Sequence, residues 1–323
     1  MTQPLDFQPI FQAVRQAAVL CRRVQEAHLV SSDKGGHEPV TIADYGSQAI
    51  ISRAIAAAFP DDGIIAEEDG GQFIELVAQE QRAEVVALLS EILNTPVTQA
   101  DVVRWLDHGQ RRETARTWVI DPIDGTKGFL ALRSYVIAVG ILVDKQPVAG
   151  VIGCPAYPTK DNAGALFHAQ GGVAFMQPLT GGAVRRVRVS EHAEASQVRA
   201  LESVEKSHTN HERMARVREV AGLGDATLTR IDSMEKYARI AAGDAEMYLR
   251  LPRLNSTRPF MIWDHAAGTA LVQAAGGMVT DIDGSPLDFS QGRALANKGI
   301  LVSNGRVHER MIAAIQQVLS ESE

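Results

Sequence analysis

Apolar residues recur at helical spacing from the start of the chain. Phe7, Ile10, Phe11, Val14, Ala17, Ala18, Cys21 and Val24 share one face, which predicts an amphipathic helix over 6–29. A polar loop over 31–41 follows. A second helix is expected from about Asp44 to Ala58, with Ala49, Ile50, Ala54, Ile55 and Ala58 toward the core. The turn "PDDG" leads into a short strand, "IIA" (64–66), which stops at Glu67 and Glu68. Between 70 and 116 the pattern is weaker. "ELVAQEQRAEVVALLSEIL" has helical periodicity and "HGQRRETAR" reads as an exposed loop.

Short apolar runs then take over. Strands are expected at 117–120, 135–143 and 148–153, the last two joined by "DKQP" as a β-hairpin. "GALFHA" and "GVAFM" flank a Gly-Gly turn and predict another hairpin. After about residue 197 the two patterns alternate. Strands are expected at 199–203, 226–231, 245–251, 277–281 and 299–303, and helices at 210–221, 234–242, 264–275 and 307–319. The expectation is an N-terminal α+β domain over 1–195 and a C-terminal α/β domain over 196–323.

Length agrees with two domains: 323 residues exceed the usual size of one. With 45% hydrophobic and 22% charged residues the chain reads as an ordinary globular protein. Its net charge of −7 argues against nucleic acid as a partner, since such binding needs a basic surface. A local basic pocket can still take a small anion. Cys21 and Cys154 sit in apolar contexts far apart, which predicts buried free thiols rather than a disulfide or zinc site. No signal peptide and no long uninterrupted apolar run is visible, so a cytoplasmic protein without a membrane partner is expected.

The candidate chemistry lies in "WVIDPIDGTKGF". An apolar run ends in Asp121 and Asp124 with Pro122 between them. Pro122 pushes Asp121 toward an extended backbone, so the two carboxylates are expected on a tight loop rather than a helical face. Taken alone, that loop is either a solvated Asp-Pro turn or a metal site. Glu67 and Glu68 end another apolar element, where they form a charged turn or join the same site. Asp264, in "IWDHAAGTALVQAAGG", stands at a helix start, where it caps the helix or contributes a third acid. Three acidic groups at the edges of apolar elements, far apart in sequence, favour one converging site. Such a hard oxygen cluster suits Mg²⁺ or Mn²⁺. Two such ions would clamp the oxygens of a phosphoryl transfer. Gly125 and Thr126 follow directly, with backbone N–H groups suited to a phosphate oxygen.

"WVIDPIDGTKGF", "AEED" and "WDHAAGTALVQAAGG" together resemble the inositol monophosphatase superfamily of lithium-sensitive, Mg²⁺-dependent phosphatases. "DPIDGTKGFL", "PVTIADYGSQAII", "GVIGCP", "ESVEKSHTNH", "IDSMEKYARIAAGDAEMYLRLP" and "PLDFSQGRALANKGILVS" resemble its 3′(2′),5′-bisphosphate nucleotidase branch. The likeness runs from about residue 7 to 315 and is weakest over 70–116. It implies a layered αβαβα sandwich. It implies Mg²⁺, two or three ions with Mn²⁺ as a substitute and Li⁺ as an inhibitor, held by Glu67, Asp121, Asp124, Asp264 and the Ile123 carbonyl. Glu68 would lie behind them or bind a further metal through water. Asp44 with Thr126 would hold and deprotonate the attacking water, and Gly125 and Thr126 would bind the scissile phosphate.

Further implied are His208, Ser233, Lys236 and Arg250 as nucleotide contacts. Lys236 or Arg250 would take the second phosphate, although from sequence Lys236 equally fits a solvated helix face and Arg250 a snorkelling strand residue. The implied reaction is hydrolysis of 3′-phosphoadenosine 5′-phosphate, a by-product of sulfate assimilation, to AMP and phosphate; the sequence itself does not give the oligomeric state, and a monomer is favoured. An inositol phosphate phosphatase is the alternative, and a non-catalytic nucleotide sensor a distant one. Two stretches depart from the branch. "LPRLNSTRPFMIWDHAAG" has an unexpected loop before the tryptophan, and Glu235 in "SMEKY" is expected to add negative charge near the anion site.

Overall fold

A computed structural model describes residues 5–31, 39–204, 211–251 and 259–321. Helices α1 (Gln8–Ser31) and α2 (Pro39–Ala58) open the chain and pack on each other. Because α2 begins ahead of the expected start, Asp44 lies within the helix. Strand β1 (Gly63–Ala66) pairs in parallel with β2 (Arg116–Asp124).

Between them stand α3 (Gly70–Leu76), α4 (Gln79–Ile92) and α5 (Gln99–Asp107). Of these, α4 answers the helical pattern; α3 and α5 were not foreseen. A capping box starts α5: the Thr98 hydroxyl accepts from the Asp101 N–H at 3.2 Å, and Asp101 accepts from the Thr98 N–H at 2.9 Å. The turn α6 (Thr126–Leu130) leads to β3 (Val136–Val143), β4 (Gln146–Cys154), β5 (Ala165–Gln170), β6 (Val173–Pro178) and β7 (Arg185–Arg186). These strands form one sheet in the order β1 to β7, antiparallel from β2 onward.

The second half supplies β8 (Arg199–Glu202), α7 (His211–Val220), β9 (Thr227–Arg230), α8 (Glu235–Ala241) and β10 (Met247–Arg250). Then come β11 (Phe260–Met261), α9 (Ala266–Ala274), β12 (Met278–Thr280), β13 (Ala294–Leu295), β14 (Ile300–Ser303) and α10 (His308–Ser320). A five-stranded sheet runs β12-β14-β10-β8-β9, while β11 and β13 pair separately.

The period-two alternation of strand side chains builds the layers. From the first sheet, Trp118, Ile120, Ile137 and Val139 pack with the apolar faces of α1 and α2. Their neighbours Val119, Val136, Ala138 and Ile152 turn the other way, onto α8 and α9. In the second sheet Leu201, Tyr248 and Val302 face α8 and α9, whereas Ala200, Met247, Leu249 and Leu301 face α7 and α10. The result is the layered αβαβα sandwich that the motifs imply.

Helix α9 lies very close to the first sheet. A Cβ on Gly140 would come within 2.8 Å of the Ala266 Cβ, and one on Gly150 within 2.7 Å of the Ala267 carbonyl oxygen. These two glycines are direct cross-strand partners. Their missing side chains let the helix settle on the sheet and fix its N-terminal end beside Asp264. Both cysteines are buried free thiols. Among the described residues no helix is long and apolar enough to cross a membrane.

Candidate active site

Asp121 and Asp124 lie on β2 itself, correcting the expectation that the strand stops at residue 120 and hands them to a loop. Asp121 still pairs with Ala138 and Asp124 with Val136, and the register slips between them. Pro122 has no N–H to give to the ladder, so the irregularity falls there. A bulge re-aims the side chains around it, and both carboxylates reach one pocket of about 270 Å³.

Helix α2 holds the two acid-bearing segments in place. The buried Ser47 hydroxyl donates to the Pro122 carbonyl at 2.9 Å. The buried Gln48 amide grips the backbone of Glu68 twice: its N–H₂ donates to the Glu68 carbonyl at 2.6 Å, and its oxygen accepts from the Glu68 N–H at 2.9 Å. Neither residue was singled out from sequence. Their signal was two adjacent polar side chains directly before the apolar run Ala49–Ile51 of a largely apolar helix.

Glu67, Asp121, Ile123, Asp124, Gly125, Thr126, Ser233, Lys236, Arg250 and Asp264 line this pocket together. Asp44 and Glu68 line a neighbouring depression that shares Glu67 with it. His208 lies outside the described residues. Gly125 adopts a left-handed φ of 93° at the junction of β2 and α6, and a Cβ there would stand 2.9 Å from the Ser233 Cβ. Only a glycine lets the two halves of the pocket approach this closely. The Thr126 hydroxyl lies 3.5 Å from the Ile123 carbonyl oxygen. Asp264 ends a single 3₁₀ turn, and the residue capping α9 is His265, so Asp264 is not the cap residue that one reading of the sequence allowed.

The acids disfavour one another's charge. Burial raises the Asp121 carboxyl well above the usual range, and Asp124, Glu67, Asp264 and Asp44 add to this. Asp44 is likewise pushed well up by burial, then by Glu67 and Glu68. Asp124 is pushed up to about 7 by burial and Asp264, against the lowering pull of Lys236, the Met234 N–H and Arg250. Glu67 keeps contact with solvent but sits among protein walls and other carboxylates, and it too is raised to about 7 by burial, Glu68, Asp264 and Asp124. Burial also raises Glu68, with the Tyr45 hydroxyl opposing.

The chemistry of this donor set fits a hard divalent cation. Asp44 and Asp121 each keep a buried Oδ1 with no hydrogen-bond partner among the described residues. A buried carboxylate oxygen without a donor needs a cation or a proton. Among the described residues no three acids already stand close enough to enclose an ion, so binding one requires the side chains to close in on it.

The opposite wall is cationic. Lys236 is buried, not on a solvated helix face: its ammonium donates to the Ile231 carbonyl at 3.0 Å and lies 5.0 Å from the centre of the Tyr248 ring. Burial brings it down to about 8, with Asp124 acting to keep it charged. Arg250 stacks 4.7 Å from the Phe260 ring centre and stands 3.8 Å from Asp264. Its side chain is 13% exposed, so it is held in the wall and does not snorkel. Glu235 is not among the residues lining the pocket: its carboxylate is paired with Arg239 at 2.7 Å and accepts from the Ser134 hydroxyl, while its negative charge still acts on Lys236, as expected. Tyr237, Tyr248, Ser203 and His265 also line the pocket and were missed from sequence. His265 Nδ1 meets the Tyr237 hydroxyl at 2.7 Å, and burial first, then Arg250 and Lys236, holds the imidazole well below its usual pKa.

Comparison with known proteins returns the same likeness. Residues 6–320 match the model of the inositol monophosphatase family. The chain is 34% identical to "3'(2'),5'-bisphosphate nucleotidase 2" of Candida albicans, with 95% of each chain covered. It is 36% identical to the 3'(2'),5'-bisphosphate nucleotidase of Emericella nidulans, over 95% of this chain and 96% of that one. It is also 36% identical to a probable 3'(2'),5'-bisphosphate nucleotidase of Arabidopsis thaliana, covering 96% and 94%. Among solved structures, the extragenic suppressor protein suhB from Bartonella henselae superposes with a TM-score of 0.64 at 20% identity, covering 96% of this chain and 98% of that one. An inositol monophosphatase from Anabaena gives 0.58 at 22%, covering 96% of each.

Proposed function

The chain belongs to the inositol monophosphatase family, and from that premise we propose that it is a Mg²⁺-dependent phosphatase. Its substrate in this reading is 3′-phosphoadenosine 5′-phosphate, which it hydrolyses to AMP and inorganic phosphate. The bisphosphate nucleotidase names of its relatives support the choice. One observation carries it: Lys236 and Arg250 stand in the same pocket as the acids. A bisphosphate brings a second anion that needs a cationic partner, and an inositol monophosphate does not.

In this proposal Glu67, Asp121, Asp124, Asp264 and the Ile123 carbonyl hold two or three Mg²⁺ ions, with Glu68 behind them. When bound, Mg²⁺ neutralises the acids, stabilises charge developing on the phosphate and acidifies the attacking water. Gly125 and Thr126 offer backbone N–H groups to the phosphate that is cleaved. The Thr126 hydroxyl orients the water, and Asp44 accepts its proton at the unpartnered Oδ1. Ser233, Lys236 and Arg250 hold the nucleotide and its 5′-phosphate, with His208 as a further contact. The same reading divides the chain at about residue 195, the first part carrying most metal ligands and the second the nucleotide contacts and Asp264.

Phosphate release from the adenosine bisphosphate and from inositol monophosphate, compared in one assay with Mg²⁺, tests this. Two charge-assisted contacts predict a preference of about 100-fold for the nucleotide. No release from the nucleotide, with release from inositol phosphate, would instead make the chain an inositol phosphatase.

A further inference from the structure

Two neighbouring residues after α6 grip the nucleotide-facing segment from both sides. Arg133 pairs with Asp232 at 3.0 Å, and the Ser134 hydroxyl donates to Glu235. Between those two acids lies Ser233, which holds a left-handed φ of 67° that side chains seldom adopt. The Met234 N–H, next along, donates to Asp124. The Ser134 and Ser233 hydroxyl oxygens stand 3.4 Å apart. Segments about a hundred positions apart are thus fastened at successive points, and the fastening surrounds Ser233 and Lys236, two of the residues by which this segment lines the pocket.

Glu235 completes the arrangement. It is 1% exposed, and its other oxygen is fixed by Arg239 at 2.8 Å. A buried carboxylate held on both oxygens is a rigid acceptor, unlike a solvated one.

We propose that Arg133 and Ser134, acting through Asp232 and Glu235, are positioning residues that set Ser233 and Lys236 at the distance required by the phosphate that is not hydrolysed. They touch neither substrate nor metal. Their effect is on discrimination between a 3′,5′-bisphosphate and a 3′-monophosphate. This rests on the phosphatase reading above.

Two measurements test it. Hydrogen exchange over residues 232–239 reads the fastening without any substrate. Ser134→Ala is expected to speed exchange there about tenfold while the melting temperature of the whole chain holds. Unchanged exchange in both Ser134→Ala and Glu235→Ala overturns the proposal. The second measurement is the ratio of kcat/KM for adenosine 3′,5′-bisphosphate to that for adenosine 3′-monophosphate. In Ser134→Ala this ratio is expected to fall about tenfold, through KM for the bisphosphate. Glu235→Gln, which keeps an acceptor oxygen, is expected to retain most of it. The Ser134→Ala/Glu235→Ala double variant is expected to be no worse than the Glu235→Ala variant, because both remove one interaction. Equal losses on both substrates would mark the residues as merely structural and overturn the proposal. A parent protein that shows no preference for the bisphosphate refutes the bisphosphate nucleotidase reading, and the exchange experiment still decides whether the fastening exists.

Discussion

Asp121 is a liability to the fold and an asset to the site. Its Oδ1 is buried without a donor, and burial and four neighbouring acids oppose its ionisation. Asparagine keeps the shape and removes the charge. Asp121→Asn is therefore expected to raise the melting temperature of the metal-free protein at pH 8 by about 1–3 °C. It should also lower phosphatase activity at least 100-fold and shrink the gain in melting temperature on adding Mg²⁺. Scanning calorimetry with chelator and with Mg²⁺ checks this, and a lower metal-free melting temperature in the variant rejects it. The pH dependence has a definite sign. Folding raises Glu67 and Asp124 to about 7, from ordinary values near 4.5 and 3.8. The folded chain then binds more protons than the unfolded one between those values and pH 7, so stability falls as pH rises through that window. Melting curves in chelator should shift downward from pH 5 to pH 8, and Mg²⁺ should restore more at pH 8 than at pH 5. A metal-free protein that gains stability over that range contradicts the assignment.

The elements matter for what they aim. Helix α2 places Ser47 and Gln48 so that one helix fixes both the DPID bulge and the Glu68 backbone. Gln48→Met, close in volume, leaves the Glu68 N–H without its partner and its carbonyl with the Gln110 amide alone, at a cost of about 1–3 kcal/mol. It should lower activity more than tenfold by loosening Glu67, read by denaturant titration and by kinetics at saturating Mg²⁺; unchanged kinetics would show that Glu67 is held by other means. Much of this site was legible in sequence because the motifs are local: DPIDGT carries two acids three positions apart, and WDHAAG sets Asp264 directly before an apolar helix. The bulge was not, because two aspartates and a proline have turn chemistry, and only pairing with β3 keeps them in the strand. The Gln48 clamp was hidden because its partner is twenty positions away and the periodicity of α2 registers only the apolar residues around it. For Lys236 a solvated position stayed open beside the nucleotide contact because α8 is short and wrapped on several sides by the middle layer, which leaves little polar face to set it apart.

At the scale of the whole molecule, the two sheets do not own separate cores. Residues of β2 to β6 and of β8, β10, β12 and β14 pack into one apolar layer around α8 and α9. Removing either sheet would expose that layer, so the two halves should unfold together. The cross-strand pair Gly140 and Gly150 tightens the same joint by letting α9 rest against β3 and β4. Leu271 is a clean probe, because it is fully buried in α9 within this shared layer and far in sequence from the candidate metal ligands of the first half. Leu271→Ala should cost about 2–5 kcal/mol, from lost transfer energy and the cavity left behind. For a chain of this length that lowers the melting temperature by roughly 3–7 °C. The expected thermogram is a single peak, shifted as a whole, with calorimetric and van't Hoff enthalpies in agreement. Two peaks, of which only one moves, would show that each sheet keeps a core of its own. In that case the acids of the first half and Asp264 would be brought together by docking of two independent bodies, and Mg²⁺ should then merge the peaks by binding across the joint.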